Sequence, residues 1–219
     1  MIPLVVVEKV ATPIGEMTLS RRGEEFAIRV AGIELMSSRN HKSEHDLGTM
    51  AAAEVASIAA PRVMIGGLGL GYTLRAVLDG LPAKAEVTQV ELVPAVVRWN
   101  REILGHLAKH PLADPRVRVI EDDVARAIAS GRDYDAIVLD VDNGPDSVGQ
   151  HNDNLYKARG LASARAALKP NGVLAVWSSF DSPTFTRWLR DAGFTPRLEK
   201  IRAHGAIHWI WIARVTPTR

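Results

Sequence analysis

From Pro61 onward, short apolar runs alternate with longer amphipathic ones, and this alternation restricts the fold more than any other feature. Residues 63–65, 86–90, 117–120, 136–139 and 173–177 read as strands. Residues 72–81, 95–104, 124–130 and 184–192 read as helices, and a further helix ends near the turn signal Lys169-Pro170-Asn171-Gly172. Residues 136–139 hold no polar side chain, as expected of a strand covered on both faces of a parallel sheet. A strand–helix–strand unit of this kind crosses over right-handedly, so a doubly wound, mostly parallel α/β sheet is predicted. Residues 197–203 and 207–215 close it as an antiparallel C-terminal hairpin. Within it Trp209 and Trp211 alternate with Ile210 and Ile212, so the two pairs face opposite sides.

Ahead of Pro61 the punctuation is that of a β-meander. Residues 4–10, 16–22, 26–30 and 33–36 are separated by Thr12-Pro13-Ile14-Gly15, Arg22-Gly23 and Ala31-Gly32, which predicts a small antiparallel unit. A helix over residues 44–59 follows, with Ser43 as its expected N-cap. The expected division is an N-terminal β-unit over residues 1–42 and an α/β domain over residues 43–219. With 47% hydrophobic residues, the 219-residue chain has material for one full-sized core. Its 27 basic and 25 acidic residues nearly cancel, and no basic run exceeds Arg21-Arg22, which argues against nucleic acid as a partner. The apolar start is interrupted by Glu8 and Lys9 too early for a signal peptide or a membrane span, and it reads as a strand. There is no cysteine, which excludes disulfide and thiolate chemistry and fits a cytoplasmic protein.

The sharpest chemical signal is Ile65-Gly66-Gly67-Leu68-Gly69-Leu70-Gly71-Tyr72, directly between a strand and a helix. Glycines at Gly67, Gly69 and Gly71 let the chain turn tightly and bring backbone close to a ligand over the helix N-terminus, in a Rossmann-like manner. The plainer reading is a tight turn with no ligand. Glu91 closes the second strand, where an acceptor-only carboxylate can take both hydroxyl hydrogens of a ribose; the plainer reading is a solvated strand end. After the third strand, Asp122 or Asp123 is placed to accept from an adenine amine, although an aspartate at a helix start needs no ligand. Asp140 closes the fourth strand with Asp142 just beyond, at the carboxyl ends that line the crevice of an open α/β sheet. Residues 133–153 carry six aspartates and no lysine or arginine, which favours a cationic substrate or a sulfonium; Asp133 and Asp135 read as solvated or capping.

His41 and His45 have a spacing that can bind metal, but no third ligand accompanies them, so no metal is expected and His45 is expected to face the crevice as a substrate contact with Asp142. His151 reads as exposed. The tryptophans Trp99, Trp177, Trp188, Trp209 and Trp211 read as core. There is no nucleophile elbow and no phosphate-binding lysine after the glycines. NAD accounts for the loop and Glu91 but not for the acids at 122, 123 and 140.

In order and spacing these segments resemble the spermidine synthases (polyamine aminopropyltransferases), a branch of the class I S-adenosylmethionine-dependent methyltransferase fold. The resemblance runs from the N-terminal β-unit and Ser43-Glu44-His45-Asp46 through the glycine loop, Val90-Glu91-Leu92, Asp122-Asp123 and the stretch from Tyr134 to Asp140. It ends at His204-Gly205-Ala206-Ile207-His208-Trp209. It implies that Glu91 binds ribose, that Asp123 or Asp122 binds adenine, and that Asp140 orients an acceptor amine and helps remove its proton. It also implies a homodimer and a donor that is S-adenosylmethionine or its decarboxylated form. The chain departs from the family at Gly69, where the family has an aspartate that holds the donor's amino group. It departs also at Asn143, where a second acid stands, and at Glu44, where a tyrosine stands.

Three readings follow: aminopropyl transfer to a small amine, S-adenosylmethionine-dependent methylation of a small molecule, or a non-catalytic nucleoside-binding subunit. The polar loop over residues 142–154 is the expected lid.

Overall fold

The computed structural model describes residues 2–141, 144, 145, 153–203 and 205–217. Asp142, Asn143, His151 and His204, and with them most of the expected lid, lie outside the described residues.

Four strands, β1 (Val5–Thr12), β2 (Gly15–Arg22), β3 (Glu25–Val30) and β4 (Ile33–Ser37), form an antiparallel sheet in chain order. The β3–β4 turn places Ala31 and Gly32 both at positive φ, 49° and 83°, the signs a tight hairpin with native twist demands. Helix α1 (Lys42–Val55) then leads into the larger unit. There β5 (Arg62–Gly66), α2 (Tyr72–Gly80), β6 (Glu86–Glu91), α3 (Pro94–Glu102), β7 (Val117–Glu121), α4 (Val124–Ser130) and β8 (Tyr134–Leu139) alternate. After α5 (Asp153–Tyr156) and α6 (Ala158–Ala167) come β9 (Leu168–Ser178), α7 (Pro183–Asp191), β10 (Phe194–Ala203) and β11 (Ala206–Val215).

The seven-stranded sheet has the order β10-β11-β9-β8-β5-β6-β7, parallel from β9 to β7, with β10 and β11 antiparallel at one edge. The chain winds outward from β5 through β6 to β7, then returns to β8 on the other side of β5. That reversal opens a crevice at the carboxyl ends of β5 and β8, where ligands bind in open α/β sheets. Every residue of β8 is buried, and alternate side chains feed two cores: Ala136 and Val138 face α1, α2 and α3, while Ile137 and Leu139 face α4, α6 and α7. Met17, Leu19, Phe26 and Ile28 of the small sheet belong to the first of these cores. Glu8 of β1 fastens the sheet to α3, accepting from Arg98 at 2.7 and 3.0 Å and from the Trp99 indole at 2.7 Å.

Local differences from expectation have physical reasons. Helix α1 begins two residues earlier than a Ser43 cap allows, because His41 is already fixed by stacking on Tyr72 at 4.0 Å and by its contact with the Ser38 carbonyl. Ser43 instead donates to the Glu44 carboxylate at 2.6 Å. The helix ends at Val55, ahead of the 56–60 turn that precedes Pro61. A helix does end just before Lys169-Pro170-Asn171-Gly172, since α6 closes at Ala167, but the turn itself lies within the next strand. It forms an irregularity inside β9, where pairing with β8 passes from Tyr134–Leu168 directly to Ala136–Val173 and Asn171 takes a φ of 64°. Asp135 is neither solvated nor a cap: it is buried at the far end of β8, paired with Lys169 at 2.8 Å and accepting from the Arg62 N–H.

Candidate active site

A cavity of about 640 Å³ occupies the crevice. The end of β6 and the segments following β5, β7 and β8 supply Glu91, Gly67, Leu68, Gly69, Asp122, Asp123 and Asp140 to its lining. Pro13, Ile14, Met17, Ile28 and Met36 of the N-terminal sheet form an apolar wall, and Glu44, Thr73, Trp177 and His208 complete the enclosure.

The loop after β5 is built to be crowded. Gly67 has a φ of +86°, and a Cβ there would stand 2.1 Å from the Asp140 carbonyl oxygen, so only glycine admits this contact between the β5 and β8 loops. A Cβ on Gly69 would stand 2.8 Å from Met36 Sδ. Behind the loop, buried Gln89 donates to the Gly67 carbonyl at 2.9 Å and Asn100 to that of Gly69 at 2.8 Å. Glu91 is 8% exposed; its Oε2 accepts the Leu68 N–H at 2.9 Å and its Oε1 the Val93 N–H at 2.8 Å. Two backbone donors therefore fix the carboxylate's orientation at the cavity wall.

The acids after β7 are shared between structure and cavity. Asp123 caps α4, its Oδ1 accepting from Ala125 N at 2.7 Å and Arg126 N at 3.1 Å. Asp122 accepts from the Asp123 N–H and from Arg126, whose guanidinium holds its carboxyl below the usual range.

Asp140 follows β8, and its Oδ2 lies 2.5 Å from the Thr73 hydroxyl. Burial, reinforced by the Glu44 charge, pushes its carboxyl from 3.8 up to about 7, against the pull of the Thr73 hydrogen bond. Burial and Glu44 also push the Tyr72 phenol up to about 12. Burial lowers the His208 imidazole, with Glu44 opposing. Among the described lining residues, the acids Glu34, Glu44, Glu91, Asp122, Asp123 and Asp140 face one guanidinium, that of Arg126, and Asp122 engages it. The cavity is thus suited to a cation, and Asp140 to exchanging a proton near neutrality.

Gly67, Gly69, Glu91, Asp122, Asp123 and Asp140 come together on this cavity, but two anticipated residues do not. His45 is exposed on the outer face of α1 and contacts Thr49; the earlier helix start turns Glu44, one residue before it, inward. Gly71 caps α2 outside the lining, and a Cβ on it would meet Pro111 and Asn100. Trp99 and Trp211 are fully buried, but Trp177, near the end of β9, lines the cavity and stacks on His208 at 5.1 Å. No group of acids and histidines suited to a metal ion occurs among the described residues. Thr73, Gln89 and the apolar wall carry no motif. The one available signal for Thr73 is its position in the first turn of the helix after the glycine loop.

A family model described as spermine/spermidine synthase domain matches residues 50–188. A polyamine aminopropyltransferase of Mycobacterium tuberculosis is 29% identical over 192 residues, covering 82% of this chain and 35% of the relative. Polyamine aminopropyltransferase 2 of Caldanaerobacter subterraneus subsp. tengcongensis is 35% identical over 100 residues, covering 44% of this chain and 32% of the relative. The chain thus spans about a third of the length of the curated relatives it matches. Among solved structures, spermidine synthase from Thermotoga maritima superposes with a TM-score of 0.72 at 17% identity, covering 95% of this chain and 72% of that one. A probable spermidine synthase from Corynebacterium glutamicum gives 0.69 at 15% identity, with 98% and 82% covered. These superpositions show a shared fold.

Proposed function

The chain belongs to the spermine/spermidine synthase family, and on that premise we propose that it transfers an aminopropyl group from decarboxylated S-adenosylmethionine to a small amine. One observation carries the reading: a single acidic cavity joins a carboxylate fixed by backbone, Glu91, to a proton-exchanging one, Asp140. The residues present fit such a donor. Glu91 would accept from the ribose hydroxyls, Asp122 or Asp123 from the adenine amine, and the surrounding acids favour a positive sulfur and disfavour an added carboxylate. A solved spermidine synthase of the same fold was captured with the transition-state analogue AdoDATO.

When bound, the donor supplies a carbon activated by its sulfonium. Asp140, in its ionised form, takes a proton from the acceptor's ammonium, leaving a lone pair on nitrogen. That pair forms the new C–N bond as the C–S bond breaks and its electrons stay on sulfur, giving a neutral thioether. An amine whose ordinary pKa is about 10 needs such a base at neutral pH. The protein's larger contribution is to hold both reactants in line.

The test is calorimetric binding of decarboxylated S-adenosylmethionine, S-adenosylmethionine and methylthioadenosine, followed by turnover with a panel of amines. Clearly tighter binding of the decarboxylated donor, with aminopropylated product, is expected. Preference for S-adenosylmethionine with methylated product would replace the reading by methyl transfer, and binding without turnover would leave a nucleoside-binding subunit. A cytoplasmic setting and a homodimer are part of the same proposal. The dimer is supported by Val5, Val6 and Val7, exposed on the edge strand β1.

A further inference from the structure

We propose that Thr73 is a positioning residue for Asp140: one hydroxyl group, wedged between the Asp140 carboxyl and the first turn of α1, sets whether that carboxyl holds a proton, with the Glu44 charge working against it. The inference rests on Asp140 being the site's proton acceptor.

The geometry is specific. Thr73 is 2% exposed, and its Oγ1 lies 2.5 Å from Asp140 Oδ2 and 3.2 Å from the Glu44 carbonyl oxygen. A hydroxyl has one hydrogen, so it cannot donate to both neighbours at once. With Asp140 ionised, Thr73 donates to the carboxylate. With Asp140 protonated, the acid O–H donates to Thr73 Oγ1, and the threonine hydrogen is released to the Glu44 carbonyl. Each protonation state therefore has its own satisfied arrangement, and Thr73 reverses direction between them. The bond to the ionised form is the stronger of the two, so Thr73 favours charge on Asp140.

Opposing it are burial and the Glu44 carboxylate, which enters from α1. Among the described residues, the other titratable or charged groups on the cavity are Glu34 on β4, Tyr72 on α2, His208 on β11, Glu91 at the end of β6, Asp122 and Asp123 beyond β7, and Arg126 on α4. Glu44 is the charge felt in common by Asp140, Tyr72 and His208. The close packing of α1 on α2 holds this arrangement: a Cβ on Gly48 would stand 2.6 Å from the Thr73 carbonyl oxygen.

The chemical consequence is a gate on proton transfer. An arriving ammonium can lose its proton only to the ionised form of Asp140: the N–H bond breaks, an O–H bond forms, and the lone pair stays on nitrogen. Whatever sets the proton on Asp140 thus sets the acid limb of kcat/KM.

The experiment is a ¹³C NMR titration of protein labelled at the aspartate carboxyls. The Asp140 signal is assigned with Asp140→Asn and followed in wild type, T73V, T73S and E44Q, alongside the pH profile of kcat/KM. T73V should raise the Asp140 midpoint by about one pH unit and T73S should restore it. E44Q should lower the midpoint by about one unit or more. An unmoved midpoint in T73V, no restoration in T73S, or an upward shift in E44Q would overturn the proposal. If T73V does not fold, T73A carries the same expectation. The NMR arm needs no turnover, so shifted midpoints without any transfer would defeat the functional reading alone. Unshifted midpoints with transfer intact would defeat this one alone.

Discussion

Replacing Asp140 by Asn keeps the side chain's shape and its contact with Thr73 while removing the charge and the basic oxygen. Turnover should fall by about 10²- to 10⁴-fold, the usual contribution of a general base, while the calorimetric Kd for the sulfonium donor stays unchanged. The same variant should be more stable than wild type in alkaline solution. The Asp140 carboxyl titrates near 3.8 when unfolded and near 7 in the fold, so between those values the folded state holds a proton that the unfolded state has lost. The stability this confers is complete below the lower value and disappears as pH rises through the upper one. Melting curves should therefore show Asp140→Asn gaining Tm over wild type at about pH 8 and little at about pH 4. A lower Tm for the variant at the higher pH would mean that the charged form is welcome in the fold. Glu91 poses the opposite case. In Glu91→Gln an amide N–H₂ must face either the Leu68 or the Val93 N–H, which already donate to the carboxylate. A cost of about 1–3 kcal/mol in stability and a ~10- to 100-fold weaker nucleoside Kd are expected from denaturant melts and calorimetry.

At the scale of elements, the site depends on helices approaching closely. Gly48 lets α1 lie against α2, with its Cβ position 2.6 Å from the Thr73 carbonyl oxygen and 2.7 Å from the Ala76 Cβ. Gly48→Ala touches no ligand, yet it should push α1 outward, cost about 1–3 kcal/mol in denaturant melts, and lower kcat by separating Glu44 and Thr73 from their positions. The strand and helix alternation from β5 to β11 was readable because each buried strand is a short apolar run between turn residues. The glycine loop, Glu91 and Asp140 followed from their places at strand ends. The start of α1 was not readable. Ser43 is a good capping residue, but a ring stack between His41 and Tyr72, far apart in sequence, fixes the first turn earlier. With that two-residue difference His45 lies outside the crevice and Glu44 lines it. Lys169-Pro170-Asn171-Gly172 marked the end of α6 at Ala167 but not its own place inside β9, since a turn signal does not tell whether the turn lies between elements or bulges within one. The Trp177–His208 stack joins two strands that only the β9–β11 pairing brings side by side.

Across the whole molecule the small sheet plays two parts, closing the cavity with one face and presenting an edge to solvent. Val5 and Val6 on that edge are 50% and 52% exposed, and Ile33 on the opposite edge strand is 71% exposed. Apolar edges of this kind pair or aggregate unless covered. Lysine at both Val5 and Val6 should convert a dimer to monomer in sedimentation equilibrium with little loss of Tm; a wild type that is already monomeric would remove the proposal. The inner face has a different consequence. Met17 and Ile28 border the same cavity as Ala206 and His208, so almost the whole chain lies between one wall and the other. During synthesis β2 and β3 leave the ribosome long before β11, and their apolar faces wait for it. No partly made chain holds a finished pocket. A ligand of this cavity would therefore meet its whole lining only once β11 has been inserted, and by mass action it would favour chains in which that strand is in place.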